Sequence, residues 1–287
     1  MRFARVKWAA LAVVAMVCAV PQARAQQRPL ATEDPESIGA GRILIEAGAA
    51  FEKDQKFPVS GLQGNLWKVG TYGLSVGVSS IAELQIDGGV VNVLRVQGTK
   101  VAPGSLASVV TLNGATTKDV EDVVVAMKIR MVGETAGHPA FGVRFATRLP
   151  NASNESGLGL DTTDFSASLL VGKTVQSVRT VANIGVGILG DPTDGNRQND
   201  VFTYGLSLAR AVTQQAELVA EINGRASVRQ GDAFPGTESR GTLKVGARFT
   251  HGPVRFDAGV YFGLNAIDAT IGGTAGFTYI FNAFTLP

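Results

Sequence analysis

The 287-residue sequence is short of reactive side chains, with one cysteine, Cys18, and two histidines, His138 and His251. A single thiol makes no internal disulfide, and Cys18 falls in the leader described below, so the mature chain has neither disulfides nor thiolate chemistry. No apolar run reaches 18 residues, which excludes a membrane-spanning helix. Aromatic residues are sparse, at 7%. No Pro/Ser-rich linker and no shift of composition separates the two halves, so nothing in the sequence marks a domain boundary.

What is present begins with a leader. Arg2, Arg5 and Lys7 precede the apolar run WAALAVVAMVCAV (8–20), and Ala23-Arg24-Ala25 supplies a small-x-small cleavage site. Residues 1–25 therefore read as a cleaved secretory signal peptide, too short to span comfortably as a helix. Val17 is bulky where lipoprotein processing at Cys18 would need a small residue. Cleavage removes four of the 26 basic residues and none of the 24 acids, leaving 22 against 24, a formal charge of −2. The basic balance belongs to the leader, so no nucleic-acid partner is expected.

The mature chain alternates. DVVVAMKIRM (122–131) sets Val123, Val125, Met127, Ile129 and Met131 against Asp122, Val124, Ala126, Lys128 and Arg130. VRFDAGVYFGL (254–264) sets Val254, Phe256, Ala258, Val260, Phe262 and Leu264 against Arg255, Asp257, Gly259, Tyr261 and Gly263. FGVRFATR (141–148) and LKVGARF (243–249) behave alike. Successive strand residues point to opposite faces, so these are strands with one oily and one polar, Gly-rich face. The pattern predicts twelve: 42–51, 64–77, 82–95, 120–132, 139–148, 163–173, 178–189, 201–211, 216–228, 241–250, 254–264 and 272–281. Connections that are longer and polar (52–63, 96–119, 149–162, 190–200, 229–240, 265–271) alternate with mostly short ones (78–81, 133–138, 174–177, 212–215, 251–253).

A soluble sandwich and an outer-membrane barrel both alternate polar with apolar faces. Three features favour the barrel: the long–short rhythm of the connections, the glycines on the polar face, and the aromatic end GFTYIF, with Phe277, Tyr279 and Phe281 on one side of the last strand. That end is similar to the terminal strand by which the barrel-assembly machinery recognises its clients, although NAFTLP follows it and leaves the register of the last strand open. Unpaired N–H and C=O groups in hydrocarbon each cost several kcal/mol, so the first strand must pair with the last. The expectation is an all-β, transmembrane antiparallel up-and-down β-barrel of about 12 strands over 41–287, in contact with outer-membrane lipid. Residues 26–40 read as a polar periplasmic tail.

Motif matches dissolve into this pattern. Gly73-x-Ser75-x-Gly77 has the spacing of a hydrolase nucleophile elbow, but no helical period follows it, and YGLS recurs at 204–207. GVGILG (185–190) has the dinucleotide-binding spacing, yet Asp191-Pro192 follows instead of a helix. DPTDGNRQND (191–200) lacks EF-hand spacing and reads as a solvated loop. The sequons at Asn151 and Asn154 carry no weight in a bacterial outer-membrane setting. No catalytic, cofactor or metal set is expected.

By parity the lumen-facing charges are Glu46, Glu83, Asp87, Asp122, Lys128, Arg130, Arg144, Arg148, Glu217, Glu221, Arg225, Lys244, Arg248, Arg255 and Asp257. They can brace the lumen as cross-strand ion pairs, or line a hydrated path that orients a solute. GLGLDTTDF (157–165), VFTYGLSLARAV (201–212) and YGLSVG (72–77) resemble segments of the outer-membrane proteins of the meta-pathway of phenol degradation. The resemblance implies a roughly 12-stranded barrel that passes small compounds, aromatic ones among them, and carries over no catalytic residue. Three functions stay open: a narrow channel for a small-molecule solute, an outer-membrane enzyme using a histidine near a rim, and a closed structural or surface-binding barrel.

Overall fold

The computed structural model describes residues 28–101, 105–112 and 114–285. The expected leader, 1–25, lies outside the described residues. The strands are β1 (Arg42–Phe57), β2 (Leu62–Gly77), β3 (Ala82–Thr99), β4 (Thr116–Asp119), β5 (Val123–Val132), β6 (Ala140–Leu149), β7 (Asp164–Val175), β8 (Val178–Gly190), β9 (Gln198–Ala211), β10 (Ala216–Ser227), β11 (Arg240–His251), β12 (Val254–Gly263) and β13 (Ile271–Asn282). Each long strand pairs antiparallel with its neighbours, and the β1–β13 pair closes the sheet into a twelve-stranded barrel. β4 is a short thirteenth strand that pairs only with β3.

The seam fixes the open register. Ile43 faces Phe281, Glu46 faces Thr278 and Lys53 faces Ile271. Beyond β13 the Ala283 and Phe284 amides both donate to the Gly41 carbonyl (2.9 and 3.2 Å), tying the chain's end to its entry point. The result is an outer-membrane barrel whose backbone groups pair around the whole circumference, which hydrocarbon requires.

The outward face is apolar and exposed: Leu84, Met127, Ile184, Leu206, Val245 and Val260 stand along it. Aromatic residues gather near the strand ends, with Phe165, Phe202 and Phe262 at one rim and Phe249, Phe256 and Tyr279 at the other. Such girdles mark the two membrane–water interfaces. Connections at the rim where β1 begins are mostly short. Gln176-Ser177 joins β7 to β8 and Gly252-Pro253 joins β11 to β12, with Gln176 (φ 55°) and Gly252 (φ 59°) in the left-handed region that two-residue hairpins need.

Two expectations are corrected here. The stretch 52–63 is not a long loop: β1 and β2 continue through it as a hairpin closed by residues 58–61. The strands hide this because the pairing slips between Glu52 and Gln55, where Asp54 has φ 56°, and the inserted residue breaks the alternation. The expected loop 96–119 likewise holds the end of β3 and all of β4.

The second correction concerns the tail. Where a periplasmic tail is expected, residues 28–40 run inside the barrel, and Leu30, Thr32, Glu33 and Ile38 are buried there. Inward glycines form its bed. Pro29 lies against Gly246 and Gly259, Thr32 against Gly205, and Pro35 against Gly142 and Gly172. A Cβ on Gly77 would strike the Gly39 carbonyl, and the Gly41 amide donates to the Gly77 carbonyl at 2.9 Å. The glycine spacing that mimics a nucleophile elbow thus serves close backbone approach.

Candidate functional site

The lumen is the functional candidate, and its polarity follows from the period of two. Residues at 217, 221 and 225 on β10 face inward opposite 248, 244 and 240 on β11. The inner charges fall into two groups, one around the N-terminal segment 28–40 and one between it and the long loops.

The lower group holds that segment. The Arg28 guanidinium reaches Asp257 (3.3 Å), Thr71 (3.2 Å) and Thr274 (3.1 Å), its amide donates to Glu46, and its carbonyl accepts from Arg248 Nε at 2.7 Å. Lys244 Nζ donates to the Pro29 carbonyl at 2.7 Å. One oxygen of Glu221 accepts from the amides of Ala31 and Thr32. Glu33 sits between Lys128 (3.3 Å) and Arg144 (3.0 Å), while Asn183 exchanges hydrogen bonds with its amide and carbonyl. Asp34 pairs with Arg179 at 2.7 Å and Glu36 with Arg130 at 2.7 Å. Glu83 binds Lys128 at 2.9 Å and accepts from the Ile38 amide at 2.7 Å. Asp87 pairs with Arg144 at 3.5 Å and Glu217 with Arg248 at 3.8 Å, and Arg255 Nε donates to Thr250 at 3.4 Å. Ile38 also packs on Leu44 and Ile280, two apolar residues that face inward.

The upper group lies toward the long loops. Arg148 is held by Asp122 and Asp164. Lys68 is held by Glu121 (3.2 Å) and Glu52 (3.6 Å), and Glu52 also accepts from the Tyr261 hydroxyl at 3.0 Å. Arg225 donates to the carbonyls of Glu238 (2.9 Å) and Gly236 (2.8 Å). Arg240 reaches Asp268 at 3.8 Å. An apolar wall completes this region: Leu62, Leu66 and Leu94 cluster with Phe57 and Leu158.

Three cavities occupy the upper lumen. One of about 340 Å³ is lined by Phe57, Val59, Leu66, Leu158, Arg225 and Arg240 among others. A second, of about 210 Å³, shares Glu52, Gln55, Lys68 and Arg240 with it. The third, of about 360 Å³, shares Arg225 and Arg240 and reaches down to Ala31 and Glu33. Sharing these side chains, the three together run from the loops to the upper surface of the N-terminal segment.

Parity locates the inward charges on the strands and misses the partners they find in the N-terminal segment. Arg28, Glu33, Asp34 and Glu36 lie in a segment with no period. The signal available was charge: β5 and β6 carry an inward basic surplus, and the acids of Glu33-Asp34-Pro35-Glu36 are its complement. Arg240, Glu52, Lys68 and Glu121 were missed because they lie where the alternation slips or ends. Among the described residues no cluster of His, Cys, Asp and Glu has the arrangement of a metal site.

Residues 26–281 match the profile of a family described as "Putative MetA-pathway of phenol degradation". No protein with a curated description matches in sequence. In fold, the chain is similar to the COG4313 outer membrane channel from Pseudomonas putida F1, at 11% identity and a TM-score of 0.60, covering 86% of this chain and 98% of that one. It is also similar to the NanC porin, at 6% identity and a TM-score of 0.51, covering 85% of this chain and 100% of that one. At such identities the likeness is one of fold.

Proposed function

The chain belongs to this MetA-pathway phenol-degradation family, and on that premise we propose that it is a narrow outer-membrane channel for small solutes. The succession of cavities between the loops and Ala31 is the observation that carries the reading. Barrels of about eight strands are filled by side chains and those of 16 to 18 hold open water channels, so twelve strands suit a narrow path. The inward charges would set its selectivity. The N-terminal segment is the lower constriction. Hydrogen bonds, ion pairs and packing hold it, so it can yield to a passing solute without a covalent change.

The reading assigns no catalytic step. Ser75 is buried on the inner face, whereas His138 and His251 are exposed at the periplasmic rim, with His138 Nδ1 at 3.1 Å from the Pro139 carbonyl. The outward row Phe277, Tyr279 and Phe281 is the feature we assign to recognition by the barrel-assembly machinery.

The test is reconstitution into planar bilayers of the mature chain and of a form lacking residues 28–37. Small conductance steps from the mature chain, enlarged in the shortened form, are the expected result. Silence from both, with each barrel shown to be folded by its heat-dependent gel mobility, overturns the channel reading.

A further inference from the structure

Arg225 and Arg240 are direct cross-strand partners on the inner face, β10 against β11. Like charges placed directly opposite are destabilising. Elsewhere in the upper lumen cations are neutralised at close range, Arg148 by Asp122 and Asp164, and Lys68 by Glu52 and Glu121. Among the described residues no carboxylate lies within ion-pair distance of Arg225. Glu238 gives it a backbone carbonyl and not its carboxylate. Arg240 has one acid, Asp268, at the long distance of 3.8 Å, and that acid already accepts from the Gly241 and Asn265 amides at 2.9 and 3.0 Å.

The two arginines also stand where the cavities adjoin. Both line the cavities of about 340 and 360 Å³, and Arg240 lines the third as well. The first cavity is also lined by Phe57, Val59, Leu66, Leu158 and Leu160. Two adjacent, under-neutralised guanidiniums sharing a cavity with an apolar wall form a site of definite chemistry. Guanidinium forks match carboxylates in a bidentate geometry that an ammonium cannot supply.

We propose that the upper lumen binds a small organic anion, a carboxylate on an apolar body, with the carboxylate on Arg225 and Arg240 and the body against the Phe57–Leu66–Leu158 wall. This rests on the channel reading for its purpose, and it names the class of solute. The bound anion removes the repulsion between the two arginines. It also sits directly above Ala31 and Glu33, so it occupies the lumen on the path to the constriction.

Binding is measured apart from conduction, by titration calorimetry on the detergent-solubilised mature protein with benzoate as the probe and benzamide as its uncharged counterpart. Benzoate should bind at least tenfold more tightly than benzamide. Arg225→Gln and Arg240→Gln should each lower benzoate affinity tenfold or more and leave benzamide unchanged. Arg225→Lys should restore only part of it. Equal binding of benzoate and benzamide by the unaltered protein overturns the proposal without recourse to any variant. So does benzoate affinity that survives in a folded Arg225→Gln, Arg240→Gln double variant. A silent barrel that still binds benzoate through these arginines would reject transport alone, and a conducting barrel indifferent to benzoate would reject the anion site alone.

Discussion

At the scale of single residues, Glu33 is the centre of the lower lumen. Its carboxylate lies between Lys128 and Arg144, and both it and Lys128 are buried. Removing one partner of a buried pair strands the other charge. Glu33→Gln should therefore loosen the N-terminal segment more than the barrel. Lys128 keeps Glu83 and Arg144 keeps Asp87, so the effect should approach about 3 kcal/mol, the low end for breaking such a pair. The check is water access to a cysteine placed at buried Thr32. A hydrophilic maleimide should label Thr32→Cys about a hundredfold faster when Glu33→Gln is also present, since about 1.4 kcal/mol is a factor of ten. No acceleration would show that Glu33 does not anchor the segment.

At the scale of elements, the strands supply clearance as well as charge. Gly142 on β6 and Gly172 on β7, offset diagonally across the strand pair, both lie against Pro35, and a Cβ at Gly172 would crowd the Pro35 ring and the Arg179 guanidinium. Gly172→Val should displace the segment while leaving the twelve-stranded pairing intact, because β7 pairs through its backbone and valine favours strands. The expected signs are faster labelling of Thr32→Cys and larger conductance steps, with heat-dependent gel mobility unchanged. Loss of the folded band would mean that the segment is needed to build the barrel.

The same scale shows what periodicity can and cannot reveal. Twelve strands, and the inner or outer sense of Glu46, Glu83, Lys128, Arg144 and Glu221, follow from alternation because register fixes every side chain to one face. Alternation fails at bulges, which is why the β1–β2 hairpin outruns its expected end at 51. It says nothing of residues 28–40, whose place is set by contacts up to 247 residues distant in sequence. Ion pairs with strands were legible as types of residue, whereas the acids of the tail had no geometry until the barrel gave them one. Arg240 illustrates a further limit. The expected strand began at 241, one residue past it, so its position opposite Arg225 was invisible.

At the scale of the whole molecule, stability depends on which side each face meets. Val245 stands at the middle of β11 with its side chain toward lipid, next in sequence to the inward Lys244. Val245→Arg should cost about 2–4 kcal/mol, the value for a basic side chain on a barrel's lipid face near the midplane. The urea midpoint for folding into phospholipid vesicles should fall accordingly. An unchanged midpoint would mean that Val245 does not face acyl chains, and the assignment of the exterior would fail with it.

The route taken by the first described residues has a practical corollary. Arg28 reaches Thr71 and Thr274, well above the rim where β1 begins, so a chain leaving Arg28 starts its journey from within the tube. A compact reporter domain spliced ahead of that arginine would have to share the bore or drag its host peptide out. Tagged versions of this protein should therefore differ in behaviour according to which terminus bears the tag, and a passenger at the amino end would act as a cork-puller before it acted as a label.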